Sequence, residues 1–408
     1  MNQNKMYSLE EVKAFVEEED VKFIRLAFCD IFGNMKNISI MSHELERAFE
    51  DGVSFDASAV EGFADADKSD LFLHPDSSTL TVLPWRPQSG RVVRMFCDIR
   101  HPDGTPYERD TRQFLRQAVE TAKAQGISVS FGVEFEFYLF KTDEEGNSTK
   151  IPFDRAGYLD IAPEDKGENV RREICFSLLD MGILPESSHH EEGPGQQEID
   201  FRHGDALTTA DSAVTFEAVV KTIAMRNGLF ADFSPKPLPD QSGSGMHINL
   251  SLDSGDKDLT FMFMAGILEH VAEITAFLNP VRESYERLGG NKAPKYITWS
   301  RENRSQLIRI PAAKENHKRI ELRSPDAAAN PYLAYALLIY AGLDGIQKKM
   351  QPQPSTDCNL FVAEEAVTKT LRQLPTSLDE ALSLAENSTW LNQILPSEYI
   401  EQYRKHNR

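Results

Sequence analysis

Four segments of the chain alternate apolar and polar positions strictly. In FGVEFEFYLF, residues Phe131, Val133, Phe135, Phe137 and Leu139 fall on one side of an extended strand, and Gly132, Glu134 and Glu136 on the other. In GQQEIDF, Gln196, Glu198 and Asp200 oppose Gln197, Ile199 and Phe201. In GMHINLSL, His247, Asn249 and Ser251 oppose Met246, Ile248, Leu250 and Leu252. In KRIELRS, Arg319, Glu321 and Arg323 oppose Ile320 and Leu322. A period of two predicts half-buried strands. Val21 to Phe28, Thr79 to Val82 and Val92 to Asp98 read as shorter strands, and HPDGTPYERD, residues 101–110, has the composition of a linker. Asp110 then predicts the cap of a helix with Phe114, Leu115, Ala118, Val119 and Ala122 on one face and Gly126 as its stop. Asn330-Pro331 predicts a second clean helix start.

Any one of the four strands is explained by a sheet with one face in water. Together they need more. A wet face usually mixes lysine, threonine and serine, whereas the polar positions here hold carboxylates, one histidine and arginines. Glu134 and Glu136, inward on one strand, repel each other unless a cation lies between them. In HHEEGPGQQE, the Gly193-Pro194-Gly195 turn lets Glu191 and Glu198 converge. Five glutamates and a histidine make oxygen-rich sites suited to Mg²⁺ or Mn²⁺. Two such ions beside arginines are what phosphoryl transfer requires. The residues alone predict a metal-dependent enzyme that uses a nucleotide.

Composition narrows this further. A length of 408 residues suits two domains, and 40% hydrophobic with 26% charged residues is ordinary for globular proteins. The net charge of −20 argues against nucleic acid, and means that an anion such as ATP needs local positive charge. The opening MNQNKMYSLEEVKAFVEEED is polar and acidic, unlike a signal peptide. Phe261 to Leu278 is apolar but carries Glu269, His270 and Glu273, which predicts a buried helix and no membrane span. Cys29, Cys97, Cys175 and Cys358 are scattered, which fits a reducing cytoplasm. The chain has no repeats, no P-loop and no GxGxxG.

The segments FDASAVEGF, EFEFYLF, GYLDIAPEDKGENVRREI, SHHEEGPGQQEIDF, PKPL, GSGMH, NRSQLIRIP and RIELRSPDAAANPYL occur in one order along nearly the whole chain. In order and spacing the set resembles the glutamine synthetase family, its bacterial type I members in particular. The resemblance implies an α+β fold, with a small N-terminal β-grasp domain at 1–105 and a catalytic domain at 106–408 built on a curved antiparallel sheet with flanking helices. It also implies a homo-oligomer of two stacked six-membered rings, a dodecamer, with active sites between neighbouring subunits. By position, Glu136, Glu191 and Glu198 would hold one metal ion, and Glu134, His247 and Glu321 a second. Glu192 would be a bystander. Arg304 would act in catalysis on the transferring phosphoryl group, with Arg309 beside it. Glu186, Asn249, Ser251, Arg309 and Arg319 would contact ATP, and Ser242, Gly243, Arg287 and Arg323 would contact L-glutamate. Asp56 would take a proton from incoming ammonium, which is not nucleophilic until deprotonated. The reaction implied is phosphorylation of the glutamate side chain by ATP, then attack by ammonia or an amine.

The sequence departs from that family at several points. The flap segment RLGGNKAP offers Lys292 where a glutamate usually precedes Ala-Pro, and a lysine there would repel ammonium. Ser242 stands where asparagine usually precedes GSGMH, the loop after Ser251 is short, and Phe361 replaces the tyrosine adenylylated in some members. Three functions are compatible: a glutamine synthetase, a ligase forming a γ-glutamyl amide from a larger amine, or a binding protein that has lost efficient catalysis. Retention of all six metal-ligand positions argues against the third.

Overall fold

A computed structural model describes residues 5–86, 89–255, 257–312 and 319–407. The first unit is a six-stranded sheet with one helix before it. That helix, Leu9–Glu18, starts in a capping box: Ser8 Oγ accepts from the Glu11 N–H at 3.2 Å, and Glu11 Oε2 accepts from the Ser8 N–H at 2.8 Å. Strands β1 (Val21–Cys29), β2 (Met35–Met41), β3 (Val53–Asp56), β4 (Asp70–Pro75), β5 (Thr81–Val82) and β6 (Arg91–Arg100) follow. The sheet runs β2-β1-β6-β4-β3, with β5 also on β6, and its central β1–β6 pairing is parallel. The strand expected from Thr79 begins only at Thr81. Ser77–Thr79 forms a 3₁₀ turn instead, because Thr79 Oγ1 donates to the Asp76 carbonyl and accepts from the Phe96 N–H.

Residues 101–110 are docked against the protein. Tyr107 and Asp110 are buried, and Asp110 accepts from the N–H groups of Ile99, Arg112 and Gln113, so one carboxylate closes β6 and caps the helix Thr111–Ala124. From that helix Arg112 reaches Asp76 at 2.9 Å, Asp98 at 3.0 Å and Asp211 at 2.9 Å. The Tyr332 hydroxyl donates to Asp211 at 2.6 Å. Asn330 caps the helix Pro331–Gln347 with its oxygen, and its Nδ2 donates to the Ile31 carbonyl at 3.1 Å. Two capping residues therefore also join the two units.

The second unit is a nine-stranded sheet: β7 (Ser128–Thr142), β8 (Ser148–Pro152), β9 (Pro185–His190), β10 (Gln196–Asp205), β11 (Leu229–Asp232), β12 (Met246–Asp253), β13 (Trp299–Arg301), β14 (Ile308–Ile310) and β15 (Ile320–Leu322). Its order is β13-β14-β15-β12-β7-β10-β9, with β8 and β11 pairing the distal half of β7. All described pairings are antiparallel except β13 with β14. The apolar face packs on helices. Phe135 stacks on Phe216 of the helix Ala206–Arg226 with centroids 4.9 Å apart, and Phe131 on Tyr335 of the helix Pro331–Gln347 at 4.3 Å. Each such ring contributes roughly 1.5–3 kcal/mol by leaving water. That anchorage fixes which face of β7 is left for polar residues. Among the described residues one helix, Thr260–Leu278, is long and apolar enough to cross a membrane, but 72% of its apolar window is buried in the protein.

Candidate active site

The ladder register brings the predicted polar positions together. Glu136 lies opposite Glu198, Glu134 opposite both Asp200 and His247, and Asn249 and Arg309 each opposite Glu321. Cross-strand neighbours on one face have Cβ atoms about 5 Å apart, so side chains from five strands share one patch.

Glu134, His247 and Glu321 offer ligand atoms within 4.8 Å of one another. His247 Nδ1 is 3.3 Å from Glu134 Oε2 and 3.8 Å from Glu321 Oε1. Glu321 is fully buried, and its two oxygens accept from Arg309 Nε and, at 2.6 Å, from Arg323 Nη1. Burial opposes ionisation of Glu134, but hydrogen bonds from His247 and Asn249 and the charge of Arg323 bring it down to about 2. The second cluster differs from the set expected. His189, Glu191 and Glu198 lie within 4.8 Å, with His189 Nε2 at 3.2 Å from Glu191 and 3.8 Å from Glu198. Glu136 is not in that group; its Oε2 accepts from the Gly245 N–H at 2.7 Å. His189 had no assigned role, since one of two adjacent histidines on a strand without alternation gives no signal of its own.

The electrostatics of this face are unsettled without a cation. Burial, together with Glu136, Asp200, Glu134 and Glu191, pushes Glu198 well above the ordinary carboxylate range. Asp200 is raised to about 6, by burial first and the charge of Glu134 next, against a hydrogen bond from Ser187. Arg323 Nε, Asp200 Oδ1 and the hydroxyls of Ser244 and Ser324 are buried with no hydrogen-bond partner. Native interiors rarely leave such groups unpaired, so the patch is built for charged occupants that complete it.

A turn and a loop shape the patch. The Gly193-Pro194-Gly195 turn brings Glu191 back beside β10, with the Glu191 N–H donating to the Gln196 carbonyl at 2.9 Å. Behind it Asp154 accepts from the Gly195 N–H at 3.0 Å and faces His190 Nε2 at 2.8 Å. Asp154, Asp165 and His190 form a third compact acid–histidine group, but Arg171 neutralises Asp165, so this group braces the turn. The loop before β12 is close-packed. A Cβ on Gly243 would lie 2.4 Å from the Pro235 carbonyl and 2.8 Å from Arg287 Cγ, and one on Gly245 would lie 2.6 Å from Arg287 Nη2. Arg287 itself is buried under this loop and donates to the Ser324 carbonyl at 2.7 Å, so its guanidinium supports the loop from beneath. The Ser242 carbonyl accepts from the Tyr138 hydroxyl at 2.5 Å.

The remaining predicted residues are spread more widely. Asn249 Nδ2 donates to Glu134 at 2.9 Å and its Oδ1 accepts from Arg319 Nε at 3.0 Å, so two nucleotide candidates are chained to a metal candidate. Glu186 is exposed on β9, Ser251 is half-buried on β12, and Arg304 is exposed after β13. His203 was not anticipated. It lies at a β-bulge between Phe201 and Gly204, where a Cβ on Gly132 would come within 2.3 Å of its ring, and the charges of Arg319, Glu186 and Glu134 act on it. Asp56 is exposed at the end of β3 and accepts from the Ser58 N–H at 2.9 Å and hydroxyl at 2.6 Å. Among the described residues no ion pair ties it to the sheet face.

The flap joins two residues not expected to meet. Lys292, with φ +57°, forms an ion pair with Glu192, the residue expected to be a bystander. The lysine also lies 6.0 Å from the Tyr158 ring centroid, and Tyr158 meets His189 edge-on at 5.5 Å. Its charge is therefore matched locally, which removes the reason to expect simple repulsion of ammonium. A cleft of about 630 Å³ beside this pair is lined by Glu192, Ser242, Lys292, Ser305 and Phe361.

A carboxylate-lined sheet face beside a small mixed sheet matches known proteins closely. Residues 20–102 match the family model "Glutamine synthetase, beta-Grasp domain" and residues 108–408 match "Glutamine synthetase, catalytic domain". A glutamine synthetase of Clostridium saccharobutylicum is 46% identical over 393 residues, covering 92% of this chain and 89% of the relative. One of Methanosarcina mazei is 45% identical over 410 residues, covering 97% and 92%. Among solved structures, a GmaS/ADP complex superposes with a TM-score of 0.87 at 30% identity, covering 97% of this chain and 94% of that one. A Plasmodium falciparum glutamine synthetase gives 0.86 at 26%, covering 100% and 96%. The chain belongs to the glutamine synthetase family, a family of ATP-dependent ligases.

Proposed function

We propose that this chain joins ammonia to the side-chain carboxylate of L-glutamate at the expense of ATP, through γ-glutamyl phosphate. The observation that carries this reading is the pair of acid–histidine clusters on one sheet face, with Arg309 and Arg323 against them. Identity of 45–46% to relatives named glutamine synthetase, over nearly the whole chain, supports it. Glu134, His247 and Glu321 would hold one Mg²⁺ or Mn²⁺ ion, and Glu191 and Glu198 a second, with Glu136 and His189 beside it. Bound ions would neutralise the phosphates and the glutamates that otherwise repel one another.

The protein's own groups do the rest. Arg304 and Arg309 stabilise charge on the transferring phosphoryl group. Asn249, Ser251, Glu186 and Arg319 contact the nucleotide, with His203 packed among them. Gly243 and Ser242 present backbone to glutamate, and the unpartnered Nε of Arg323 is available to a carboxylate while Arg287 holds the loop in place. Asp56 attracts ammonium and accepts its proton; hydrogen bonds from the Ser58 hydroxyl and N–H hold its carboxyl below the usual range, which keeps it ionised. We set the boundary between the units near residue 105 and read the enzyme as cytoplasmic, in keeping with its four free cysteines.

The direct test is ATP-dependent phosphate release with glutamate, comparing ammonium against a panel of amines. Preference for a larger amine would reassign the acceptor, and no turnover with any acceptor would refute ligase activity. Because Asp56 lies on the other unit, we further propose a ring assembly, a dodecamer, in which neighbours complete each other's sites. Mixing Asp56→Ala with Arg304→Ala subunits would then leave about a quarter of interfaces without either lesion. Recovery of activity on mixing is expected, and a fully active monomer by light scattering would exclude this assembly.

A further inference from the structure

We propose that the cleft between the six-stranded sheet and the helix Ala206–Arg226 binds a small molecule carrying a carboxylate or phosphate on an apolar body. The cleft has a volume of about 350 Å³, within the range of small-molecule sites. Arg25 of β1, Arg86 beyond β5, Arg94 of β6 and Arg226 at the helix end all line it, and no carboxylate does. In a chain of net charge −20, four arginines around one opening without a lining acid make a local inversion of sign. Among the described residues none of the four is in an ion pair.

Arg94 is the built part of this site. It is 8% exposed, stacks on Phe96 with its guanidinium 4.1 Å from the ring centroid, and donates from Nη1 to Thr215 Oγ1 at 2.6 Å. Its Nε is buried with no partner. A buried guanidinium with an unused donor and no carboxylate in direct contact is costly to maintain, and an anion in the cleft would relieve it. Burial brings this arginine down to about 10, although the charge of Asp211 works the other way. Burial, then the like charge of Arg86, also lowers Arg25. Trp85 and the 68%-exposed Met225 supply the apolar wall, a surface suited to an aromatic or aliphatic body. Because the cleft is lined from both units, its occupant would bridge them.

The test titrates the full chain calorimetrically with phenylacetate, phenyl phosphate and, as the neutral control, benzyl alcohol. At least one anionic probe is expected to bind with a Kd between about 10 µM and 1 mM, and the alcohol at least about tenfold more weakly. Which anion binds decides between carboxylate and phosphate. The double variant Arg25→Gln/Arg86→Gln should lower affinity about tenfold or more. Ala218→Trp, which fills the cleft from the helix side and keeps all four charges, should abolish binding while its melting midpoint stays near that of the wild type. Arg304→Ala should leave binding unchanged, separating this cleft from the ATP site. Absence of binding by both anions up to about 10 mM, or binding that survives both cleft variants, would overturn the proposal. The readout is affinity and not turnover, so failure here leaves the ligase reading untouched.

Discussion

At the junction of the two units one arginine, Arg112, faces Asp76, Asp98 and Asp211, and Arg116 and Tyr332 complete the set. On the sheet face Glu134, Glu136, Glu191, Glu198 and Asp200 crowd together with two histidines, while two arginines of that face, Arg309 and Arg323, are bound to Glu321. Both regions are acidic and substantially buried. The first is closed: its carboxylates share cations of the protein's own. The second is open, with Glu198 and Asp200 pushed upward and an orphaned Arg323 Nε. A satisfied acid cluster holds a fold together; an unsatisfied one reserves space for something else.

Substitution should separate the two regions. Glu198→Gln removes a repulsive charge, so we expect turnover to fall at least about a hundredfold while apo stability holds or rises. Mn²⁺ titration and melting in chelator measure the two effects; a stability loss matching the activity loss would make Glu198 merely structural. Arg112→Met should do the reverse. Asp76 and Asp98 would keep Arg116, but Asp211 would lose its cation, at a cost of about 3–5 kcal/mol read as a lower denaturant midpoint, while the fraction that remains folded keeps its Mn²⁺ affinity.

The flap pair tests an intermediate case, acid and base matched but half in solvent. Exposed pairs are worth up to about 1 kcal/mol, so Glu192→Gln, which frees the lysine, should raise the ammonium KM by up to about fivefold. Lys292→Gln in the same background should restore it, and the KM for ATP should not move. Equal ammonium KM values in the wild type and both variants would mean that the flap does not read the nitrogen donor.

The smallest effect is expected at His270, on the helix Thr260–Leu278 far from the sheet face. Its ring stacks on Trp390 at 3.8 Å and meets Glu273 at 3.0 Å and Asp344 Oδ2 at 2.8 Å, an oxygen that Lys348 also reaches at 2.9 Å. Burial works against the imidazolium, but the two carboxylates outweigh it and raise the pKa. A raised pKa stabilises the folded state fully below the unfolded value of about 6.5, and that contribution is lost as pH rises through the folded value. His270→Gln should therefore flatten the stability profile above about pH 6.5, with no change in pH 5–6 activity ratios beyond that caused by unfolding.

Much of this was legible in the sequence for one reason: β7, β10 and β12 each bury a mostly apolar face, so alternation alone indicated which side Glu134, Glu136, Glu198 and His247 occupy. The caps Asp110 and Asn330 were legible because a side-chain oxygen is the local answer to free helix N–H groups. What escaped depends on tertiary placement. His189 acquires neighbours only when the glycine-proline turn folds Glu191 back against Glu198. His203 is swung over Gly132 by a bulge that breaks the period of two. Glu192 and Lys292 are one hundred residues apart, and no periodicity joins them. Arg287, read as a substrate contact by position, is buried under the loop it was expected to serve beside.

That last arrangement bounds how the loop before β12 can be remodelled. With Arg287 wedged beneath Gly243 and Gly245, neither position has room for so much as a methyl group without displacing the support. The neighbouring Ser242 lines the open cleft, and among the described residues only its carbonyl is committed, to Tyr138. Divergence of this enzyme toward bulkier nitrogen donors would therefore have a narrow path: size and polarity can be traded at Ser242 and across the Glu192–Lys292 pair, while Gly243 and Gly245, one and three positions further on, stay fixed as the rail on which any reshaped cleft must be mounted.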